Sequence, residues 1–337
     1  MEILARCAEY APALRAVCRA WRAWAMGTVR PSRGAGLSFL AKEGCVELLV
    51  WALEQRGDRL YLPEQANAIL LSAARYGHEA LCLKARAWKA TNWNPMLKAA
   101  ARGGHESICL MARAWGAAQW DMMLERAARG GHRALCERAR DWGATLWHVM
   151  LGAAARGGHE ALCETARAWG ATDWNGMLAS AARGGHAALC ELARDWGATD
   201  WNWMLASAAL GGHAALCLKA RDWGATNFNE MLTLAAHEGR ITACELAREW
   251  GATDWNGMLV AAANGGHESL CELARAWGAR GWNEMLTSAA QGGHEFLCRK
   301  AREWGATDWV TMRRRAIFYG RDDLRELAEK WARGEDA

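Results

Sequence analysis

Proline is nearly missing from this chain, at 4 residues in 337. With so few fixed φ angles and so few absent amide donors, almost every stretch is free to build regular hydrogen-bonded structure. Phenylalanine and tyrosine are as scarce, at 4 each. Long apolar runs are missing too. Hydrophobic residues make up 52% of the chain, yet Arg, Asp, Glu or His interrupts them every few positions, and nothing approaches the roughly 20 consecutive apolar residues of a membrane span. Residues 1–30 place Glu2 and Glu9 among arginines and lack the apolar stretch of a secretory signal. A soluble chain that is not exported is expected. Neither sign of charge dominates. The 41 basic and 37 acidic residues are interspersed, for a net charge of +4, which demands neither nucleic acid nor an anionic membrane as partner.

Tryptophan, glycine and cysteine are abundant, at 22, 35 and 12 residues. Skew of this kind points to repetition. An even cysteine count would suit a secreted disulfide framework, but the chain is long and most of its cysteines fall on a regular interval. A reducing compartment, cytoplasmic or nuclear, is the expectation.

The dipeptide Gly-His sets the period. His78, His105, His132, His159, His186 and His213 are followed in the same slot by Arg240, His267, His294 and Arg321, every step being 27 residues. Cysteines from Cys82 to Cys298 keep the same beat, four residues after the slot. Between Thr172 and Trp196, the Gly184-Gly185 pair divides the unit into two segments, each patterned as a helix. Met177, Leu178, Ala181 and Ala182 share one face of the first, and Asp173 or Asn175 is available to cap its start. Leu189, Cys190, Ala193 and Trp196 share a face of the second, with Glu191 and Arg194 on the wet side and Gly197 ending the helix. Neither segment reaches the roughly 12 to 15 residues at which an isolated helix becomes marginally stable. Each pair must therefore bury its stripe against the next. The spacing predicts an all-α solenoid of about ten to eleven stacked helical hairpins.

The stretch A-A-R-G-G-H-E-A-L-C-E-T-A-R-A-W-G-A, Ala154 to Ala171, resembles the ankyrin pattern A-A-x-x-G-H-x-x-x-V-x-x-L-L-x-x-G-A. Ankyrin units run to about 33 residues. The unit here falls short by about six, between Gly-Ala and the next Met-Leu, so the resemblance implies an ankyrin unit without its β-hairpin. Gly44-Cys45 lies 33 residues before Gly77-His78, as a first unit of full length would place it. Short units of this type are similar to those of ankyrin-repeat proteins encoded by large DNA viruses and by some algae. The likeness spans residues 37–337. It implies a protein-binding stack whose inner helices face the partner, without the hairpin tips that supply the other half of the contact surface.

Ahead of the array, L-R-A-V-C-R-A-W-R-A-W-A, Leu14 to Ala25, resembles the end of an F-box, with Glu2-Ile3-Leu4 as its start. That resemblance implies docking on the adaptor subunit of a cullin ubiquitin ligase through Leu14, Val17, Cys18 and Trp21. The distance from Glu2 to Val17 is several residues shorter than an F-box allows, and no Leu-Pro opens the motif. A helix that seals the hydrophobic end of the stack is the other reading, and both stay open. The chain is then organised as a helical segment 1–30, a linker 31–36, the solenoid 37–310 and a C-terminal capping repeat 311–337, where Arg313, Arg314 and Arg315 stand in place of Leu and small residues.

Chemistry must be weighed against packing. His186 and Cys190 share a helical face, but each unit supplies two ligands where zinc wants four, and the next unit stands about 10 Å away. The same separation exceeds the roughly 7 Å limit for a disulfide. Cys reads as a small buried hydrophobe and His as closing the Gly-Gly turn. Trp residues such as Trp169, Trp174, Trp196 and Trp201 read as packing between units, the alternative being a stacking platform for nucleobases or sugars. No nucleophile with a base, carboxylate pair or phosphate loop stands apart from the repeat, so no catalytic residue, metal or cofactor is expected and the chain reads as non-enzymatic.

Specific binding should use positions that differ between units. The residue before Met is Pro95, Met122, Val149, Gly176, Trp203, Glu230, Gly257 and Glu284, and the pair after Leu includes Lys98, Glu125, Arg126, Thr233 and Thr287. Lys98, Glu125, Arg126, Trp203, Glu230 and Glu284 are the candidate partner-binding residues, all on the first helix of their units. The expectation is a monomeric protein-interaction scaffold with a protein partner. Nucleic acid is disfavoured, because several of these variable positions hold Ala, Gly or Ser, which read no base.

Overall fold

A computed structural model describes residue 42 and residues 63–335. Leu14, Val17, Cys18 and Trp21, the linker 31–36 and the Gly44-Cys45 unit lie outside the described residues. Among the described residues there are twenty helices and no strand, paired as ten helical hairpins. The chain is a helical repeat solenoid. In each hairpin the first helix is called A and the second B. No helix among the described residues is long and apolar enough to cross a membrane.

The chain divides into two compact units, residues 1–154 with 161–169, and residues 155–160 with 170–337. In the first unit the A/B pairs are Pro63–Tyr76 with Glu79–Ala87, Trp93–Gly103 with Glu106–Ala114, Trp120–Gly130 with Arg133–Asp141, and Trp147–Gly157 with Glu160–Ala168. The second unit begins with Trp174–Gly184 and Ala187–Asp195, continues through Trp201–Gly211, Phe228–His237, Trp255–Gly265 and Trp282–Gly292 as A helices, and ends with Trp309–Phe318 and Asp322–Ala332.

The helices stop where the glycines fall. Gly104, with φ of +83°, takes the left-handed conformation after helix Trp93–Gly103, and the His105 amide reaches back to the Ala100 carbonyl at 3.0 Å, the six-to-one bond of a glycine-terminated helix. A second positive φ at Gly116 ends helix B in the same way, the Ala117 amide bonding the Ala112 carbonyl at 2.9 Å. Helix A starts are capped at Asp173, Asp200, Asp254 and Asp308, whose side chains accept from the amide three residues on.

The predicted stripes form the core, except that Trp196 is only half-buried. In the first unit Met96, Leu97, Ala100, Ala101, Ile108, Cys109 and Ala112 have no exposed surface. In the second, Met177, Leu178, Ala181, Ala182, Leu189, Cys190 and Ala193 are buried in the corresponding places. Burying each Met or Leu contributes about 1.5 to 3 kcal/mol. Alanine pairs on helix A let neighbouring A helices approach closely. Within each unit the A helices pack side by side in a row, whereas the B helices pack on their own A helix and barely touch one another.

Candidate functional site

Two polar groups that recur along the array tie hairpins to their neighbours and leave little of the invariant surface for other work. The first is an Asn or Asp at the second position of helix A. Asn175 does not cap its own helix. Its Oδ1 accepts from the amides of Thr199 at 2.8 Å and Asp200 at 3.0 Å, in the loop that opens the following hairpin. Asn94, Asn202, Asn229, Asn256 and Asn283 each bracket two amides in the same way. Asp121 does so as a carboxylate. A period of 27 in an exposed Asx residue was the sequence signal for this role.

The second group is the histidine. His105 Nε2–H donates to the Arg75 carbonyl at 3.0 Å, and His132 Nε2–H to the Arg102 carbonyl at 3.1 Å. His267 and His294 reach the carbonyls of His237 and Asn264. The ring therefore joins successive hairpins, besides lying at the Gly-Gly turn. A Cβ added to Gly104 would stand 2.5 Å from His132 Cε1, so the left-handed glycine also makes room for the next repeat's imidazole. Arg240 fills the same space over Gly212, and Arg321 donates to the Gly292 carbonyl at 3.3 Å, which explains how Arg replaces His in that slot.

Cysteine and tryptophan are absorbed by packing. The nine described cysteines are all buried and none is in a disulfide. Burial pushes the thiols of Cys109, Cys217 and Cys244 up to about 12, because the thiolate loses its hydration. Trp residues pair edge to face inside one hairpin: Trp93 with Trp115 at 5.0 Å, Trp201 with Trp223 at 5.2 Å and Trp255 with Trp277 at 5.3 Å between centroids. The contact between hairpins comes from arginine. Arg113 lies 4.6 Å over Trp142, Arg221 4.7 Å over Trp250 and Arg248 4.7 Å over Trp277. The paired rings are half-buried, and the ring that ends helix B, such as Trp142, Trp250 or Trp277, carries both its partner and a neighbour's guanidinium.

The variable columns have mixed fates. Trp203 is 47% exposed on helix Trp201–Gly211. Glu230 and Glu284 are exposed, at the third position of their helices. Glu230 Oε2 accepts from Asn227 Nδ2 at 2.7 Å, and Glu284 Oε2 lies 3.1 Å from where a Cβ on Gly281 would stand. In the second unit, helices that start at Asp carry Gly, Trp or Thr at this position, and those that start at Asn227 or Gly281 carry Glu. Part of this column thus varies with the residue that precedes the helix. The column after Leu is closed at Ala153, Ala179, Ala206 and Ser207, which are buried.

In the first unit the same columns open onto a cleft of about 540 Å³. Lys42, Arg75, Lys98, Arg102 and Arg126 line it, together with the apolar surfaces of Leu71, Pro95 and Ala99. Lys98 and Arg126 are thus brought together, with Glu125 beside Arg126 at 3.9 Å. Trp203, Glu230 and Glu284 belong to the second unit. A hollow of about 800 Å³ in that unit, beside Trp282 and Trp304, is lined by Arg275, Arg280, Lys300 and Glu272. Lys300 there pairs with Glu268 and Glu272.

Neither a known protein-family model nor a curated protein matches this chain.

Proposed function

We propose that this solenoid is a non-enzymatic scaffold that binds a partner protein along the exposed face of its A helices. One observation carries the reading. The residues that repeat are spent on the core, the caps, the Asx brackets, the His links and the Arg–Trp stacks, while the residues that vary and stay accessible, among them Lys98, Arg126 and Trp203, stand on helix A. Repeat arrays that present varied side chains on a stacked surface bind extended partners. The ankyrin resemblance supports the same face, and a monomeric protein of the cytoplasm or nucleus, in a host cell if the source is viral, fits a chain with no disulfide among its described cysteines.

The test is quantitative affinity capture with the full chain and three variants that keep the packing. Trp203→Ala and the charge reversal Lys98→Glu should each deplete the captured partner several-fold, while Lys84→Glu on a B helix leaves it in place. If the B-helix variant loses the partner and the A-helix variants keep it, the reading is wrong. The second reading, a substrate receptor of a cullin ubiquitin ligase, is supported by Leu14, Val17, Cys18 and Trp21. It requires that the adaptor co-purify with the full chain and be lost on deletion of residues 1–30.

A further inference from the structure

The geometry points to an acidic, extended peptide segment of the partner as the occupant of the first unit's cleft, an inference that rests on the A-face reading above. Five cations converge there from successive elements: Lys42, Arg75 on helix Pro63–Tyr76, Lys98 and Arg102 one turn apart on helix Trp93–Gly103, and Arg126 on helix Trp120–Gly130. Among the described residues, no carboxylate lines the cleft. Among the described residues, neither Lys98 nor Arg102 makes an ion pair, and the carboxylate nearest to Arg126 is Glu125 at 3.9 Å. Elsewhere several exposed cations are matched across hairpins, as in Arg138 with Glu106, Lys219 with Glu191 and Lys300 with Glu268. In the cleft, Lys98 and Arg102 stand on one helix without such a match.

The basicity is not imposed by the repeat. The column that holds Arg75, Arg102 and Arg129 in the first unit holds Leu210, His237, Asn264 and Gln291 in later hairpins of the second. An anion also meets no bare helix terminus here, because the carbonyls of Arg75 and Arg102 are already taken by His105 and His132. Leu71, Pro95 and Ala99 give apolar surface between the cations, which suits a chain with an apolar residue among its acids.

The spacing fits an extended chain. Packed helices stand about 8 to 10 Å apart and an extended peptide advances about 3.3 Å per residue, so a segment crossing the A row meets a new helix at roughly every third residue. A nucleic-acid strand would need a stacking ring at each step. Among the described residues the one aromatic side chain lining the cleft, Tyr76, already carries Lys42 at 5.7 Å and Arg75 at 5.9 Å from its ring centre.

Fluorescence anisotropy on the full chain tests this with three labelled probes: a Glu-Glu-Leu repeat peptide of about twelve residues, long enough to cross three or four helices, its Gln-Gln-Leu counterpart, and an oligothymidylate of equal charge. The Glu peptide should bind at least about tenfold more tightly than the Gln peptide, with an affinity that falls as salt rises. Lys98→Glu with Arg102→Glu should lose about tenfold or more of that affinity, and Lys84→Glu none. Should the reversed pair fail to fold by circular dichroism, Lys98→Ala with Arg102→Ala is read in its place, with a smaller loss expected in the same direction. Equal binding of the Glu and Gln peptides, equal loss in the Lys84 variant, or tighter binding of the oligothymidylate would overturn the inference. Failure here with continued loss of the captured partner in Trp203→Ala would leave the A-face scaffold standing without this cleft.

Discussion

Asn229→Ala isolates what one bracket between hairpins is worth. Asn229 Oδ1 accepts from the amides of Thr253 at 2.8 Å and Asp254 at 3.0 Å. A net hydrogen bond contributes about 1 kcal/mol, so losing two sets a ceiling near 2 kcal/mol. The site is exposed and water can replace part of what is lost, which brings the expected cost to about 1 to 2 kcal/mol. Because repeats are coupled only to their neighbours, the loss should be local. Native-state hydrogen exchange reads it directly: the Thr253 and Asp254 amides should exchange about tenfold faster in the Ala variant, since 1.4 kcal/mol is a factor of ten, while amides in distant hairpins keep their rates. Two companions separate the acceptor from bulk. Asn229→Asp keeps an oxygen in place, as Asp121 does naturally with Thr145 and Leu146 at 2.8 and 3.0 Å, and should retain protection. Asn229→Leu keeps the volume and should lose it. If the Ala and Asp variants exchange alike, the bracket is not what joins these hairpins.

Leu189→Ala, at a site 3% exposed, should cost about 2 to 5 kcal/mol in urea unfolding followed by tryptophan fluorescence, and uniform two-state unfolding without loss of stability would contradict it. Gly211→Ala gains helix propensity of about 1 kcal/mol but places a Cβ 2.6 Å from the Arg183 carbonyl and 2.5 Å from the His213 ring; thermal melting should show net destabilisation, and a rise in Tm would refute the packing argument. The buried thiols have folded values near 12 against 9.0 for a free thiol, so the unfolded chain releases protons first as pH rises. Stability should be flat below about pH 9 and fall between pH 9 and 12, read as a declining urea midpoint, and replacing Cys217 and Cys244 with Ala should shallow that fall. Arg221→Met keeps the stem but removes the cation 4.7 Å over Trp250; a loss of about 0.5 to 1 kcal/mol is expected, and no change would assign the contact to the methylenes alone.

Much of the fold was legible because it is carried by local, repeated choices. Met177, Leu178, Ala181 and Ala182 mark one helical face by spacing alone, Gly184-Gly185 can only interrupt a helix, and two helices too short to stand alone must stack. The site was legible in part. The variable columns were visible, and Lys98 and Arg126 do line one cleft. Burial of Ala206 and Ser207 was not visible, because it depends on how closely the neighbouring A helix approaches. Nor was the contact of Glu230 with the side chain of Asn227 at the start of its helix. That contact becomes apparent only once the helix start is placed to the residue.

The sequence by itself determined the period, the helix pairs, the turns and the core stripes, since each follows from the chemistry of residues within one 27-residue unit. The tertiary structure decided how units are joined. It turned His105 from a turn residue into a donor to a carbonyl thirty positions back, moved Asn175 from its own helix to the next hairpin's loop, and set Trp pairs within a hairpin with arginine as the link between hairpins. Partners one repeat apart are equidistant in every unit of a periodic sequence, so the pattern cannot say which unit a side chain serves. Only the packing of one hairpin against the next makes that choice.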